Sequence, residues 1–470
     1  MRFFTILLLI LVLESSGWIP QHSSSHTVTP FAFPTKCGRP INFQLSASRL
    51  DSDEKELRIL YPPSEAYTNG SIQVDSIHNL HYEVHGMRDN SSEPLLNALF
   101  LHGGPGAGCF PNHARFFDPE RYRIVLLDQR GSGKSRMRGD ARNNTLAHLV
   151  DDCETLRLEL GIGRWDVVLG GSWGATLAIS YAQSYPDSVG GIILRGVCLL
   201  RTCEVDWLFS TQGAAKKYPE AWKEFEKAVN VTEEMSLKDP RSALHAHYDR
   251  LLGNDADARS SAARSWSKWE FLVFMSHKIP DSTNVSDANE TMAALKAYNE
   301  TSSPVFAYSR DSGWVRQDAW GQITEQAALD DVWSLRQGIV EAQHVSEEAT
   351  TPRYVESYST AGVGNESSSQ LPAQTMLTCF YSTNDRFVKN NEDLLSSNRM
   401  NNIRKIPCVA VQGGSDRICP PDTALDLWKA WPEIEMRIPV KSGHSMYDPF
   451  IVHELVQATD GFAESLKAKH

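Results

Sequence analysis

The chain has 470 residues, with 46 basic and 58 acidic side chains, a net charge of −12, and 41% hydrophobic against 22% charged residues. Those proportions exclude wholesale disorder, and an acidic balance with no compensating basic stripe excludes a binder of nucleic-acid backbones. At roughly 100–200 residues per domain, the length predicts two or three folded units, or one core with a large insertion.

Met1-Arg2 precede an apolar run from Phe3 to Leu13, followed by Glu14-Ser15-Ser16-Gly17. A basic start, a short apolar stretch and small residues predict a signal peptide over 1–17. The run is too short to cross a bilayer at about 1.5 Å per residue. It is the one long apolar run in the chain, so a multispanning protein is excluded. Residues 18–45 are rich in Ser, Thr, Pro and His and predict a loose extension. Sequons at Asn69, Asn90, Asn143, Asn230, Asn284, Asn289, Asn299 and Asn365 agree with the leader in predicting a secreted glycoprotein. Eight cysteines permit disulfides without assigning them, and no Cys or His spacing predicts a metal site.

From 46 to 197 short apolar strands alternate with helical segments. Leu95–Leu101 and Arg123–Leu127 read as strands, Thr145–Leu160 as a helix, Val167–Leu169 as a strand, Trp173–Tyr185 as a helix stopped by Pro186, and Val189–Leu194 as a strand. This is the pattern of a parallel α/β sheet covered on both faces. Residues 198–397 are Trp-rich, charged and mostly helix-like, and predict an inserted helical cap holding the clustered sequons. From 398 to 470 the strand pattern returns at Cys408–Val411 and Glu435–Val440, before a terminal helix over about 448–467.

Gly170-Gly171-Ser172-Trp173-Gly174 is a G-x-S-x-G sequence. Alone it is weak. Placed between an apolar strand and a helix, it predicts a sharp turn that exposes the Ser172 hydroxyl as nucleophile. A serine needs a base, and the base an orienting acid, in the chain order Ser, acid, His. Asp416 and His444 each lie just beyond a late strand, in that order. An oxyanion intermediate needs backbone donors. The N–H of Trp173 is one, and Gly104 in His102-Gly103-Gly104-Pro105-Gly106 is the other, with Gly103 the alternative. His102 precedes the nucleophile and is read as structural.

HGGPGAG at 102–108, LDQRGSGKS at 127–135, GGSWGATLAISYAQSYP at 170–186 and VQGGSDRICPP at 411–421 resemble the proline iminopeptidases, α/β-hydrolases with an inserted helical cap. Leu194-Arg195-Gly196, Glu204-Val205-Asp206-Trp207 and Trp266-Ser267-Lys268-Trp269-Glu270 match the start of that family's cap. The resemblance spans about 45–275 and 375–470. It implies a serine aminopeptidase without cofactor, acting on short peptides with a free N-terminus, through Ser172, Asp416 and His444. It also implies that a cap carboxylate receives the substrate's α-ammonium. Glu270 stands at that position, and Glu204 matches a further family glutamate, counted among the substrate-binding candidates although its expected role is structural. The chain departs from the pattern at Thr378, where a second cap glutamate is expected, and at Cys198 and Leu208, where aromatic rings are expected. Those departures keep two rivals in view. One is a secreted carboxylesterase or amide hydrolase without amine recognition. The other is a non-catalytic binding protein, which intact Ser172, Asp416 and His444 disfavour. Neither nucleic acid nor, after leader removal, membrane is an expected partner.

Overall fold

The computed structural model describes residues 57–87, 95–278, 370–384 and 393–467, and the backbone of three strands within 305–326. The predicted leader, the extension, and the sequons at Asn90, Asn284, Asn289, Asn299 and Asn365 lie outside the described residues.

The strands are β1 Thr68–Gln73, β2 Asn79–His85, β3 Leu96–Leu101, β4 Tyr122–Leu127, β5 Val167–Gly171, β6 Ile192–Arg195, β7 Val305–Ser309, β8 Gly313–Gln317, β9 Ile323–Gln326, β10 Cys408–Val411 and β11 Glu435–Pro439. They form one sheet in the order β1-β2-β4-β3-β5-β6-β10-β11-β7-β8-β9. β1, β2 and β4 are joined antiparallel, and β4, β3, β5, β6, β10 and β11 run parallel. The parallel strands are continuous apolar runs because both faces are covered. β5, β6 and β10 are buried at every position. Along β3, Leu99 and Leu101 enter one core cluster while Ala98 and Phe100 enter the other, as the two-residue side-chain period requires.

Helices α1 Leu146–Glu159 and α2 Trp173–Ser184 cover the first face. The cap follows β6 as α3 Thr202–Phe209, α4 Ala214–Lys217, α5 Pro219–Lys227, α6 Glu233–Lys238, α7 Ser242–Leu252, α8 Ala256–Met275 and α9 Gln370–Thr383. After α10 Ser397–Asn401 and α11 Pro421–Ala430, α12 Pro449–Lys467 packs Leu455, Val456 and Phe462 on the second face. The cap has its own aromatic core. Phe209 stacks on Trp266 at 4.4 Å, Trp222 meets Trp269 edge-on at 5.0 Å, and Phe225 stacks on His247 at 4.0 Å.

The 198–397 stretch is not helical throughout. β7, β8 and β9 extend the sheet beyond β11, with Phe306 opposite Ile438 and Tyr308 opposite Met436. Val305-Phe-Ala-Tyr-Ser309 and Gly313-Trp-Val-Arg-Gln317 are aromatic and β-branched at strand spacing. They occupy the hydrogen-bonding edge that β11 would otherwise present.

Candidate active site

β5 ends in two glycines, and the chain turns at Ser172 with φ 56° and ψ −123° before α2 begins. Such a conformation costs a residue with a Cβ about 1–3 kcal/mol. It is held by Ser172 N–H donating to Arg195 O at 2.7 Å and by Ala175 N–H donating to Ser172 O at 2.8 Å. The flanking glycines permit it. A Cβ at Gly170 would lie 2.2 Å from Gly174 O, and one at Gly174 2.1 Å from Leu101 O. The turn leaves Trp173 at the first helical position, its backbone N–H directly after the nucleophile.

Asp416 follows β10 and is fully buried. Its Oδ1 accepts the N–H groups of Ile418 and Cys419, each at 2.9 Å. Its Oδ2 lies 2.7 Å from Nδ1 of His444, in the loop after β11. A carboxylate can only accept there, so Nδ1 carries the proton and Nε2 keeps its lone pair. Gly196 passes beneath the pair, where a Cβ would sit 3.1 Å from His444 Cε1 and 3.5 Å from Asp416 Oδ2. Ser172, Asp416 and His444 thus all lie just past the carboxyl ends of parallel strands, the edge where such sheets bind ligands.

Arg195 joins the nucleophile turn to the base. Its carbonyl holds Ser172 N–H, and its Nη1 donates to His444 O at 2.9 Å and lies 3.3 Å from His444 Nε2. Burial lowers the guanidinium's pKa, opposed by the Asp416 charge. Gly171 makes room for it, since a Cβ there would be 2.7 Å from Nη2. Arg195 stands in the Leu194-Arg195-Gly196 segment, whose pattern by itself assigns it no role. The available signal was an arginine closing the apolar strand Ile192-Ile193-Leu194.

The glycine turn after β3 comes against the elbow. A Cβ on Gly103 would lie 3.1 Å from Ser172 Cβ and 3.6 Å from Oγ. The peptide after Gly103, whose N–H belongs to Gly104, therefore borders the nucleophile. His102 is buried, and burial lowers its pKa. Its Nε2 accepts Gln129 N–H at 3.1 Å. The Gln129 side chain donates to His102 O at 2.8 Å and accepts Trp173 Nε1–H at 2.9 Å. One glutamine thus fastens the turn to the elbow.

The cap closes over this edge from two sides. Thr378 on α9 donates to Pro105 O at 3.1 Å, seating the helix on the glycine turn, and Tyr381 stacks on Trp173 at 4.8 Å. On α8, Phe274 meets the His444 ring edge-on at 6.2 Å. Glu270 lies one helical turn before Phe274, on the same face. Burial pushes its carboxyl up to about 7, and its charge reaches Cys379 on α9. Glu270 therefore sits between the two helices that border the site. Glu204 does not join it. Its Oε2 accepts Leu199 and Leu200 N–H at 2.7 and 3.0 Å, and its Oε1 accepts Arg201 Nε–H at 2.8 Å. This corrects its place among substrate-binding residues, because the carboxylate is consumed by the crossover turn, where Leu200 has φ 51°. Cys198 lies in that crossover beside Cys419, and Leu208 packs at the edge of the cap core.

Asn69, Asn143 and Asn230 are exposed. Among the described residues no His, Cys, Asp or Glu group is placed to hold a metal ion, and no described helix is long and apolar enough to cross a membrane.

The sequence model of the alpha/beta hydrolase fold family matches residues 99–449. A proline iminopeptidase of Arabidopsis thaliana is 36% identical over 403 residues, 86% of this chain and 82% of its own length. A proline iminopeptidase of Xanthomonas citri is 33% identical, covering 87% of this chain and 100% of its own. A probable proline iminopeptidase of Leptolyngbya boryana is 32% identical, with 86% and 97% covered.

Proposed function

The chain belongs to the proline iminopeptidase family of α/β-hydrolases, and from that premise we propose that it is a serine aminopeptidase releasing N-terminal proline, or another small apolar residue, through an acyl-enzyme. The observation that carries the reading is the 2.7 Å contact between Asp416 Oδ2 and His444 Nδ1 on the strand-end edge that also carries the Ser172 elbow.

Ser172 Oγ attacks the carbonyl carbon of the first residue while His444 Nε2 takes its proton. Asp416 keeps Nδ1 protonated and stabilises the imidazolium. The N–H groups of Trp173 and Gly104 receive the oxyanion. His444 then protonates the departing amine, leaving the residue esterified to Ser172. Water attacks that ester with His444 again as base, restoring the serine. As imidazolium forms, Nε2 becomes a donor and no longer accepts from Arg195, whose bond to His444 O keeps the loop in place.

Glu270 is the cap carboxylate in reach of the edge, and it serves as the ammonium anchor. A desolvated carboxylate selects a cation strongly. The leader and the exposed Asn69, Asn143 and Asn230 support passage through the secretory pathway, with glycans on these side chains. One observation favours the rival esterase reading: α9 carries Thr378, not a second carboxylate, where it meets the glycine turn, its hydroxyl 3.1 Å from both Pro105 O and Gln374 O.

The deciding experiment compares proline p-nitroanilide, its N-acetylated form and p-nitrophenyl acetate, with Ser172→Ala as control. Hydrolysis of the free-amine substrate that is lost on acetylation and in the variant is expected. Ester turnover without dependence on the amine replaces the aminopeptidase by the esterase.

A further inference from the structure

Two thiols meet beside the catalytic acid. Cys198 lies in the crossover from β6 to the cap, and Cys419 closes the acid loop after β10. The Cys198 side chain lies within hydrogen-bonding reach of the Cys419 thiol, and both residues are buried. Their backbones are held together independently. The Gln412 side chain accepts Val197 N–H at 2.9 Å and donates to Cys419 O at 2.9 Å, so one amide spans both segments. Each segment is tied to the machinery. Cys419 N–H donates to Asp416 Oδ1 at 2.9 Å, and Cys198 O accepts the Thr176 hydroxyl on α2, the elbow helix, at 2.7 Å. The chemistry proposed above uses neither thiol.

We propose that Cys198 and Cys419 are a disulfide-forming pair whose closure displaces the acid loop and slows catalysis. The oxidant is a low-molecular-weight disulfide. One cysteine thiolate attacks it, forming a mixed disulfide and expelling one thiol. The second cysteine, as thiolate, then attacks the first cysteine's sulfur in that mixed disulfide and expels the remaining small-molecule thiol. The protein loses two protons and two electrons, which the external disulfide takes up as it becomes two thiols. Bonded sulfurs approach to about 2.05 Å, closer than hydrogen-bonded thiols stand. Closure therefore draws Cys419, and with it the N–H that holds Asp416, towards the crossover. The hydrogen bond with Cys198, then burial, hold the Cys419 thiol well above its ordinary pKa. The reaction is accordingly slow at neutral pH and accelerates as pH rises.

The inference rests on Asp416 acting as the triad acid. Turnover is therefore read with p-nitrophenyl acetate, which needs the triad but no amine recognition. The full chain, purified reduced, is equilibrated with oxidised glutathione at pH 7 and pH 9, alkylated, and mapped by peptide mass spectrometry. A Cys198–Cys419 linked peptide is expected, forming faster at pH 9, with turnover falling by roughly tenfold or more and returning with dithiothreitol. Cys198→Ser is expected to form no linkage and to keep its own turnover through the same treatment. Both thiols remaining alkylatable, a pairing through the exposed Cys203 instead, or a linked protein with unchanged turnover would each overturn the proposal. Loss of amine selectivity with linkage intact would strike the aminopeptidase reading alone.

Discussion

Ser172 is held in a backbone conformation that few side-chain-bearing residues adopt, and Gly170 and Gly174 on either side of it are glycines because a Cβ there would run into backbone. The site's residues divide into those that react and those that hold them. Asp416 illustrates the holding role. With two N–H donors on Oδ1 and His444 on Oδ2, its charge is kept where it selects the Nδ1–H tautomer. Asp416→Asn is expected to preserve the fold by circular dichroism and to lower kcat by about 10⁴, because an amide can present its N–H to the ring and stabilise the wrong tautomer. Glu270 yields a prediction with a sign. Its carboxyl titrates near 7 in the fold against 4.5 when solvated. The buried group is neutral below that value, so turnover of proline p-nitroanilide should lose efficiency as pH falls through 7 relative to p-nitrophenyl acetate on the same enzyme. Glu270→Gln should abolish that difference and the preference for a free amine. Stability runs the other way. The fold favours the neutral acid, so the benefit is complete below pH 4.5 and lost as pH rises to about 7. Glu270→Gln should therefore gain urea resistance over the parent at pH 8 but not at pH 4.

At the scale of elements, the site is a meeting of segments from the core and the cap. α9 reaches the glycine turn through Thr378 and the elbow through Tyr381, while α8 reaches the base loop through Phe274. α3 joins the acid loop through the Trp207 indole N–H, which donates to Arg417 O at 2.8 Å. Thr378→Val keeps the shape and removes the hydroxyl that seats α9. The loss of a hydrogen bond costs about 1 kcal/mol. Thermal melting a few degrees lower is expected, with kcat/KM falling about fivefold if the seat acts mainly in the transition state. A melting change with kcat/KM intact would show that α9 bears on stability alone.

For the molecule as a whole, a mostly parallel sheet is sealed by helices on both faces and extended by β7–β9 at one edge. The strand-end edge that carries Ser172, Asp416 and His444 lies against cap helices α8 and α9. Asn69, Asn143 and Asn230 stand on exposed surface of this body. Expression of the full chain through a eukaryotic secretory pathway should yield protein in the medium, and treatment with peptide N-glycosidase should lower its apparent mass. Retention inside the cell, or no mass change, would remove the secretory assignment without touching the catalytic one.

What was legible in the chain itself follows from what is local. Strand and helix periodicity located β3 to β6, α2 and β10 to within about three residues of their bounds. The motif around Ser172, and the order Ser172, Asp416, His444, depend on turn chemistry and chain order, which a sequence displays directly. Contacts between segments distant along the chain do not show there. Local pattern does not separate Glu204 from Glu270; only the family resemblance set them apart, giving Glu204 an expected structural role and Glu270 the ammonium site. Glu204 is consumed by three donors in its own turn, Glu270 is half-buried on α8 where it faces α9, and packing makes that difference. Arg195 reaching His444, Gln412 spanning Val197 and Cys419, and Thr378 seating α9 are likewise pairings across long sequence separations. The β7–β9 extension carried local strand signals, yet its docking on β11 needed a free edge that forms only when the sheet is assembled. Local steric preference and hydrophobic period decided the elements, and burial in the assembled fold decided which polar groups were left to act.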